Sequence, residues 1–203
     1  MPVHVGTSGW SYPSWRPGFY PAGSRPEDFL AHYASRFDTV ELDTTGYRLP
    51  AEDQFRRWAE AVPDGFSFAP KLALRRLDRV PVFVERVAAL GDRLGPVRVV
   101  VESPRDDGVL AYVAGSVDPS VRLAFDFRDE SWAGAEGVVA VGDLDARPFR
   151  YVRLREPPYS DADLRALAAR LRGPGTTFAY FRHEAEPTAP AYAARLLELL
   201  EEG

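Results

Sequence analysis

Eight short β-rich runs alternate with helical patterns along the 203-residue chain, and this alternation constrains the fold most strongly. The runs are Val3–Thr7, Thr39–Thr44, Phe66–Leu72, Val97–Glu102, Arg122–Phe127, Val138–Val141, Tyr151–Leu154 and Thr177–Phe181. The helical patterns are Glu27–Arg36, Ala51–Ala61, Pro81–Leu94, Asp107–Gly115, Asp161–Arg172 and Ala191–Glu202. Strands that alternate with helices predict a parallel sheet, and eight is the number of strands that closes a (β/α)8 TIM-type barrel.

The segments after the fifth and sixth runs are short Gly-, Ala- and Asp-rich links without a helical pattern. A TIM barrel typically has about 250 residues, so two lost helices account for the shortfall. We therefore predict one α/β domain over residues 1–203, a shortened (β/α)8 barrel with the helices after strands 5 and 6 reduced or missing. Without that cover Phe125, Val139 and Val152 would be exposed, which predicts a homodimer through strands 5 to 7.

Composition excludes several classes of protein. The chain has no cysteine, which rules out disulfides, Cys-ligated zinc and thiol catalysis. It shows neither a signal-peptide pattern nor an apolar run near the roughly 20 residues that span a bilayer, so we expect a cytoplasmic protein without a membrane partner. Its net charge of −5 and its lack of a basic tail do not support nucleic-acid binding.

Alternate positions within the runs differ in character, and one set is small or polar. In a barrel strand one set faces the helices and the other faces the interior. The polar members gather at the carboxyl ends of the strands, where TIM barrels place active sites. They are Ser8, Glu41, Asp43, Lys71, Glu102, Asp126, Arg128, Arg153 and Arg155. This set holds four carboxylates and four cations, so it could be a self-neutralising structural network or the lining of a pocket.

Three of these residues are the catalytic candidates. Glu41 is the first choice for a general acid or base, with Lys71 and Asp126 beside it. Lys71 is the only lysine among 24 arginines, and a lysine there could be a base, a Schiff-base former or a phosphate ligand. The substrate-binding candidates are Ser8, Trp10, Tyr12, Asp43, Tyr47, Arg48, Glu102, Arg128, Trp132 and Arg153. Arginine forks suit phosphate or carboxylate groups, and the aromatic rings suit sugars or bases.

No cofactor is predicted. The chain has no glycine-rich phosphate motif of the dinucleotide or Walker type. Of the histidines only His183 lies near the predicted mouth of the barrel, so a multi-histidine zinc site is not available. A divalent cation could bind the carboxylates, but Lys71 and Arg128 would already neutralise them, so we predict no metal.

Several motifs occur in one order along nearly the whole chain. They are Gly6–Tyr12 with Trp15 and Phe19–Pro21, Phe37–Thr45 with Tyr47–Pro50, Phe66–Lys71, Leu94–Pro96, Phe125–Arg128 with Ser131–Trp132, and Tyr151–Leu154. Together they resemble the YecE-like family, also called domain of unknown function 72. The resemblance implies a TIM-type barrel and implies no reaction, because the family has no established biochemical function.

The chain departs from that family pattern at the predicted mouth. Gly46 stands where an aromatic residue usually precedes the Tyr-Arg pair. Ala73–Arg76 replaces a Thr-His pair, Arg155-Glu156 replaces His-Gly, and Arg182-His183 replaces Asn-Asn. The first half of the pocket is therefore retained, and the rim after strands 7 and 8 is rewritten.

Three functions stay open at this point. The first is an enzyme that hydrolyses or isomerises a phosphorylated, nucleotide-like or sugar-like ligand by acid–base chemistry. The second is a non-catalytic module that binds an anionic ligand or single-stranded nucleic acid. The third is a structural or interaction scaffold, in which Trp10 and Trp15 would close the mouth and every inward charge would be paired.

Overall fold

The computed structural model describes residues 2–146 and 148–202. Its strands are β1 (Val3–Thr7), β2 (Thr39–Leu42), β3 (Ser67–Ala73), β4 (Val97–Val101), β5 (Leu123–Phe127), β6 (Val139–Ala140), β7 (Phe149–Leu154) and β8 (Thr176–Phe181). Its α-helices are α1 (Phe29–Ala34), α2 (Glu52–Glu60), α3 (Val80–Val87), α4 (Asp107–Gly115), α5 (Asp161–Leu171) and α6 (Thr188–Glu201). The strand pairs are parallel, which confirms the α/β alternation, with ends that differ from the predicted ones by a few residues.

The strands form two sheets, in the orders β1-β8-β7 and β2-β3-β4-β5-β6, and not the single closed barrel that the sequence predicts. The hydroxyl of Tyr33 lies at the seam between β1 and β2. It accepts a hydrogen bond from the Thr7 N–H at 2.8 Å and donates one to the Thr39 carbonyl at 3.1 Å. These two backbone groups therefore bond to the tyrosine hydroxyl and not to each other's strand. Just beyond the ends of this seam, Ser8 and Glu41 form an isolated parallel bridge, and the Gly9 N–H donates to the Glu41 carbonyl at 2.8 Å.

The second seam lies between β6 and β7. Strand β6 has only two residues, so it offers few backbone groups to a neighbour. The backbone N–H of Gly142, just after β6, donates to the carbonyl of Tyr151 at 2.8 Å. The sheet edges therefore approach each other at both seams without forming continuous ladders.

The predicted alternation of side chains is confirmed. Large apolar residues such as Val40, Phe68 and Val99 belong to the main core cluster. The opposite face holds a second cluster to which both sheets contribute, from Ala69 and Ala124 to Tyr151, Phe178 and Tyr180. The hydroxyl of Tyr180 lies 2.7 Å from that of Thr39, so the inner faces of the two sheets are in contact. Polar strand ends therefore converge above this cluster.

The structure confirms that the described residues between β5 and β7 form no α-helix. They include one 3-10 turn, Glu130–Trp132. Phe125, Val139 and Val152 are nevertheless buried in the single chain, so the expected exposed patch is wrong. The irregular links cover the core instead, and their residues Trp132, Ala135, Val138 and Leu144 pack on it. The homodimer stays a prediction, now without an apolar patch behind it.

In the described part of the chain, no helix is long and apolar enough to cross a membrane.

Candidate functional site

Glu41 lies at the carboxyl end of β2 and is fully buried. Its Oε1 accepts from Ser8 Oγ at 3.0 Å and pairs with Arg153 Nη2 at 2.8 Å. Its Oε2 accepts from the Tyr151 hydroxyl at 2.6 Å and pairs with Arg98 Nη1 at 3.1 Å. A buried carboxylate needs such partners, and Glu41 thereby joins β1, β4 and β7 to its own strand.

Arg98 reaches from β4 toward the strand ends with its side chain buried. Its Nε donates to Asp126 Oδ2 at 2.8 Å, and its Nη1 donates to Asp43 Oδ1 at 3.0 Å. The same Asp126 oxygen accepts from Arg128 at 3.0 Å and from Arg155 at 2.6 Å. Three guanidinium groups therefore converge on one carboxylate.

Lys71 comes from the inner face of β3. Its ammonium donates to Asp43 Oδ1 at 3.2 Å and lies 4.0 Å from the centroid of the exposed Tyr47 ring. An ammonium has three N–H donors, so these two partners leave Lys71 able to bind a third.

These groups surround a cavity of about 330 Å³, the mouth cavity. It is lined by Ser8, Asp43, Tyr47, Lys71, Ala73, Arg75, Arg98, Val100, Glu102, Arg128, Arg153, Arg182 and His183. The lining holds six cations and two carboxylates, and Glu41, Asp126 and Arg155 beside it bring the balance to seven against four. The predicted neutral balance is therefore wrong, and the site carries excess positive charge in a chain whose net charge is −5.

The excess of positive charge comes from Arg75, Arg98 and Arg182. These arginines are not among the polar strand-end residues that the sequence predicted to gather at this site. Arg98 lies on the same strand face as Glu102, and a lone arginine within the run Val97–Val101 is the signal that could have identified it. Arg75 and Arg182 follow the ends of β3 and β8, at two of the positions that depart from the family pattern. The substitutions at the rim thus add positive charge.

The charges around the mouth cavity shift pKa values of groups in its lining, among them Asp43 and His183. Burial alone would raise the pKa of Asp43, but Lys71, Arg153 and Arg98 outweigh it and hold that pKa below its usual range. Burial lowers the pKa of His183. The nearby Asp43 raises that pKa, while Arg182 and Arg153 lower it further. His183 is therefore neutral at pH 7, with its ring stacked 4.5 Å from that of Tyr12.

Most of the predicted substrate-binding residues meet in the mouth cavity. Those that line it are Ser8, Asp43, Tyr47, Glu102, Arg128 and Arg153, together with Lys71. Glu41 and Asp126 lie beneath the lining, where arginines hold them. Tyr12 supports the cavity from behind, since its hydroxyl donates to the Ser8 carbonyl at 2.8 Å.

The remaining candidates lie elsewhere. Trp10 is buried and packs edge-on against Trp58, with ring centroids 5.1 Å apart. Trp132 stacks on Phe127, and Arg48 is exposed outside the cavity lining. Trp15 is also buried, so the aromatic loop after β1 packs into the core and does not close the mouth cavity.

Within residues 2–146 and 148–202, no group of three or more histidine, aspartate or glutamate side chains is arranged to hold a metal ion. The carboxylates that the sequence offered as oxygen ligands bind guanidinium and ammonium groups instead. Glu102, the most exposed of them, lies 3.7 Å from Arg75 Nε.

Fold and site together define an α/β protein with parallel sheets and a cationic cavity at the strand ends. A DUF72 family protein from Enterococcus faecalis has a similar structure, with a TM-score of 0.73, 15% identity and 98% coverage of both chains. Phosphoribosyl anthranilate isomerase from Thermus thermophilus is similar at a TM-score of 0.54 and 14% identity, over 100% of this chain and 99% of that one. These similarities show the fold, with neighbours of the TIM-barrel type.

The family model described as "Protein of unknown function DUF72" matches residues 4–203, and the chain belongs to this family. Among curated proteins, the UPF0759 protein YecE of Escherichia coli is 34% identical over 103 residues. That match covers 46% of this chain and 35% of YecE, so the chain spans about a third of the length of this curated relative.

Proposed function

We propose that the mouth cavity binds a small anionic ligand of the phosphorylated, nucleotide-like or sugar-acid type. The observation that carries this proposal is the local excess of positive charge, seven cations against four carboxylates. Cations crowded into a partly enclosed cavity repel one another, and an anion there relieves that repulsion. The cavity volume of about 330 Å³ suits a small metabolite.

We further propose that the bound ligand undergoes acid–base chemistry, either hydrolysis or isomerisation. Lys71 is the residue that we propose to contact the reacting group of the ligand, because it lines the cavity and its ammonium has two partners, Asp43 and Tyr47, among the described residues. His183 is neutral at pH 7 and lines the same cavity, so it suits the role of proton acceptor. Glu41 and Asp126 are positioning residues in this scheme, since they hold the arginines that face the ligand.

A non-catalytic binding module is the second candidate. One observation favours it: Glu41 is already engaged by four donors, and one oxygen of Asp126 by three. Carboxylates whose lone pairs are occupied in this way are poorly placed to take a proton from a ligand, so the catalytic scheme depends on Lys71 and His183 alone.

Turnover separates the two candidates. Phosphorylated sugars, nucleotides and sugar acids are incubated with the wild type, Lys71→Met and His183→Gln, and products are followed by mass spectrometry. We expect a product from at least one compound, and at least a hundredfold loss of rate in Lys71→Met. Binding of a compound without any product would favour the non-catalytic module.

A further inference from the structure

A second depression lies beside the mouth cavity, between the end of β7 and α5. We call it the α5 groove; its volume is about 660 Å³, and Arg153, Arg155, Glu156, Tyr159, Asp163 and Arg170 are among its lining residues. Arg153 also lines the mouth cavity, so one side chain forms the wall between the two depressions. A single small molecule could therefore contact both.

Arg153 near the end of β7 and Arg155 just after that strand use little of their hydrogen-bonding capacity. A guanidinium has five N–H donors. Among the described residues, Arg153 contacts acceptors through Nη2, on Ser8 and Glu41 and at longer range Asp43, and Arg155 contacts Asp126 through Nη2. The Nε atoms of both are buried and have no hydrogen-bond partner in the described part of the chain. Buried donors without partners are unfavourable, so an acceptor other than the described chain would stabilise both side chains.

The charges around the α5 groove point to an anionic acceptor. Burial lowers the pKa of Arg155, and the neighbouring Arg153, Arg128 and Arg98 lower it further, while Asp126 opposes them. The groove also contains Arg170 and two carboxylates. One of these carboxylates, Asp163, belongs to the capping box at the N-terminus of α5, where it accepts a hydrogen bond from Ser160 Oγ at 2.7 Å.

We propose that the α5 groove is a phosphoryl subsite, in which Arg155 and the outer side of Arg153 bind a phosphate group of the ligand whose remainder occupies the mouth cavity. This inference rests on the proposed function and adds that the ligand is a phosphorylated compound held across β7. The planar fork of an arginine binds two phosphate oxygens at once, which an ammonium cannot do.

Arginine side-chain NMR of the full chain tests this inference, with inorganic phosphate as the probe. The Nε–H signals of Arg170 and Arg128 are assigned with Arg170→Lys and Arg128→Lys; Arg170 lines the α5 groove and reports on it, and Arg128 lines the mouth cavity and reports on that. We expect both signals to shift saturably with phosphate. Shifts of Arg128 alone would overturn the phosphoryl subsite and leave the proposed function standing, whereas no shift of either would overturn both.

Arg155→Lys provides a second measurement that keeps the charge beside Asp126. Followed through the Nε–H signal of Arg170, phosphate binding in the groove should weaken at least threefold, because the fork is lost. The matched control is Arg165→Lys on the exposed face of α5, which pairs with Asp161 and should bind phosphate like the wild type. Equal affinity in Arg155→Lys and wild type would contradict the subsite.

Discussion

Lys71 crosses directly over Gly46, so closely that a β-carbon built on Gly46 would lie 2.6 Å from Lys71 Cε. A side chain at position 46 therefore requires the Lys71 side chain to move from this position. Gly46 is also a position where the chain departs from the family pattern. In this chain the glycine leaves room for the Lys71 side chain to pass.

Gly46→Ala should weaken anion binding about 10-fold or more, because a displaced Lys71 loses a charge-assisted contact of roughly 1.5–3 kcal/mol. Calorimetric titration with a bound phosphorylated compound measures the effect. Gly23→Ala is the matched control, since a β-carbon there has no neighbour within 4 Å. Equal affinities in the two variants would mean that Lys71 does not contact the ligand.

Glu41→Gln should lower the free energy of unfolding by about 3 kcal/mol, because it removes the shortest charge contact of the buried Arg153 and one of the three carboxylate partners of the buried Arg98. Urea denaturation gives this value. Glu27→Gln, at an exposed pair with Arg25, should change stability by less than about 0.5 kcal/mol. A stable Glu41→Gln protein would show that Glu41 is not a structural anchor.

Binding of sulfate should strengthen as the pH falls below about 6.5, the ordinary pKa of histidine. The pKa of His183 is lowered, so the neutral form persists to a lower pH than usual and then gives way to a further cation in the cavity. Sulfate does not titrate in this range, which isolates the protein group. The pH dependence should be absent in His183→Gln; an unchanged profile in that variant would assign the effect elsewhere.

Stability should fall in acid partly through Asp43. Its pKa is lowered in the folded chain, so its contribution is present above its unfolded pKa near 4 and is lost as the pH falls through the lower folded value. Urea denaturation between pH 6 and pH 3 should show a shallower loss for Asp43→Asn than for the wild type. Parallel curves would indicate that Asp43 does not benefit from Lys71, Arg153 and Arg98.

Tyr33→Phe should destabilise the chain by about 2–4 kcal/mol, because the Thr7 N–H and the Thr39 carbonyl lose their buried partner at the β1–β2 seam. Tyr112→Phe, at a half-exposed tyrosine, is the control for loss of a hydroxyl. If Tyr33→Phe kept the wild-type stability, the two strands would pair directly without the hydroxyl.

The sequence predicted the alternating elements and the polar strand ends, because period-two alternation and local turn chemistry are written along the chain. It could not predict the seam, since the hydroxyl that separates β1 from β2 comes from Tyr33 on a helix between them. It also missed the charge excess. Arg98 lies three residues before the end of β4, and its long side chain brings the guanidinium to Glu41 and Asp126 at the strand ends.

The residues that the sequence misplaced share one cause. Trp10 and Trp132 follow strand ends, as ligand-binding aromatics often do, but nearby rings and carbonyls bury them. Whether an aromatic side chain turns toward a cavity or toward the core depends on tertiary packing, which periodicity does not encode. The strand-borne polar residues were predicted better because the sheet fixes their direction.

Ligand-induced stabilisation tests the cationic mouth cavity most directly, because a ligand that binds the folded state raises its melting temperature. Phosphorylated sugars, nucleotides, sugar acids and a single-stranded oligonucleotide are compared at constant ionic strength on the wild type, Lys71→Met and the exposed α2 control Arg56→Gln. At least one small anion should raise the melting temperature of the wild type and of Arg56→Gln, and Lys71→Met should lose more than half of that rise. No rise with any compound, or an equal rise in Lys71→Met, would contradict anion binding in this cavity.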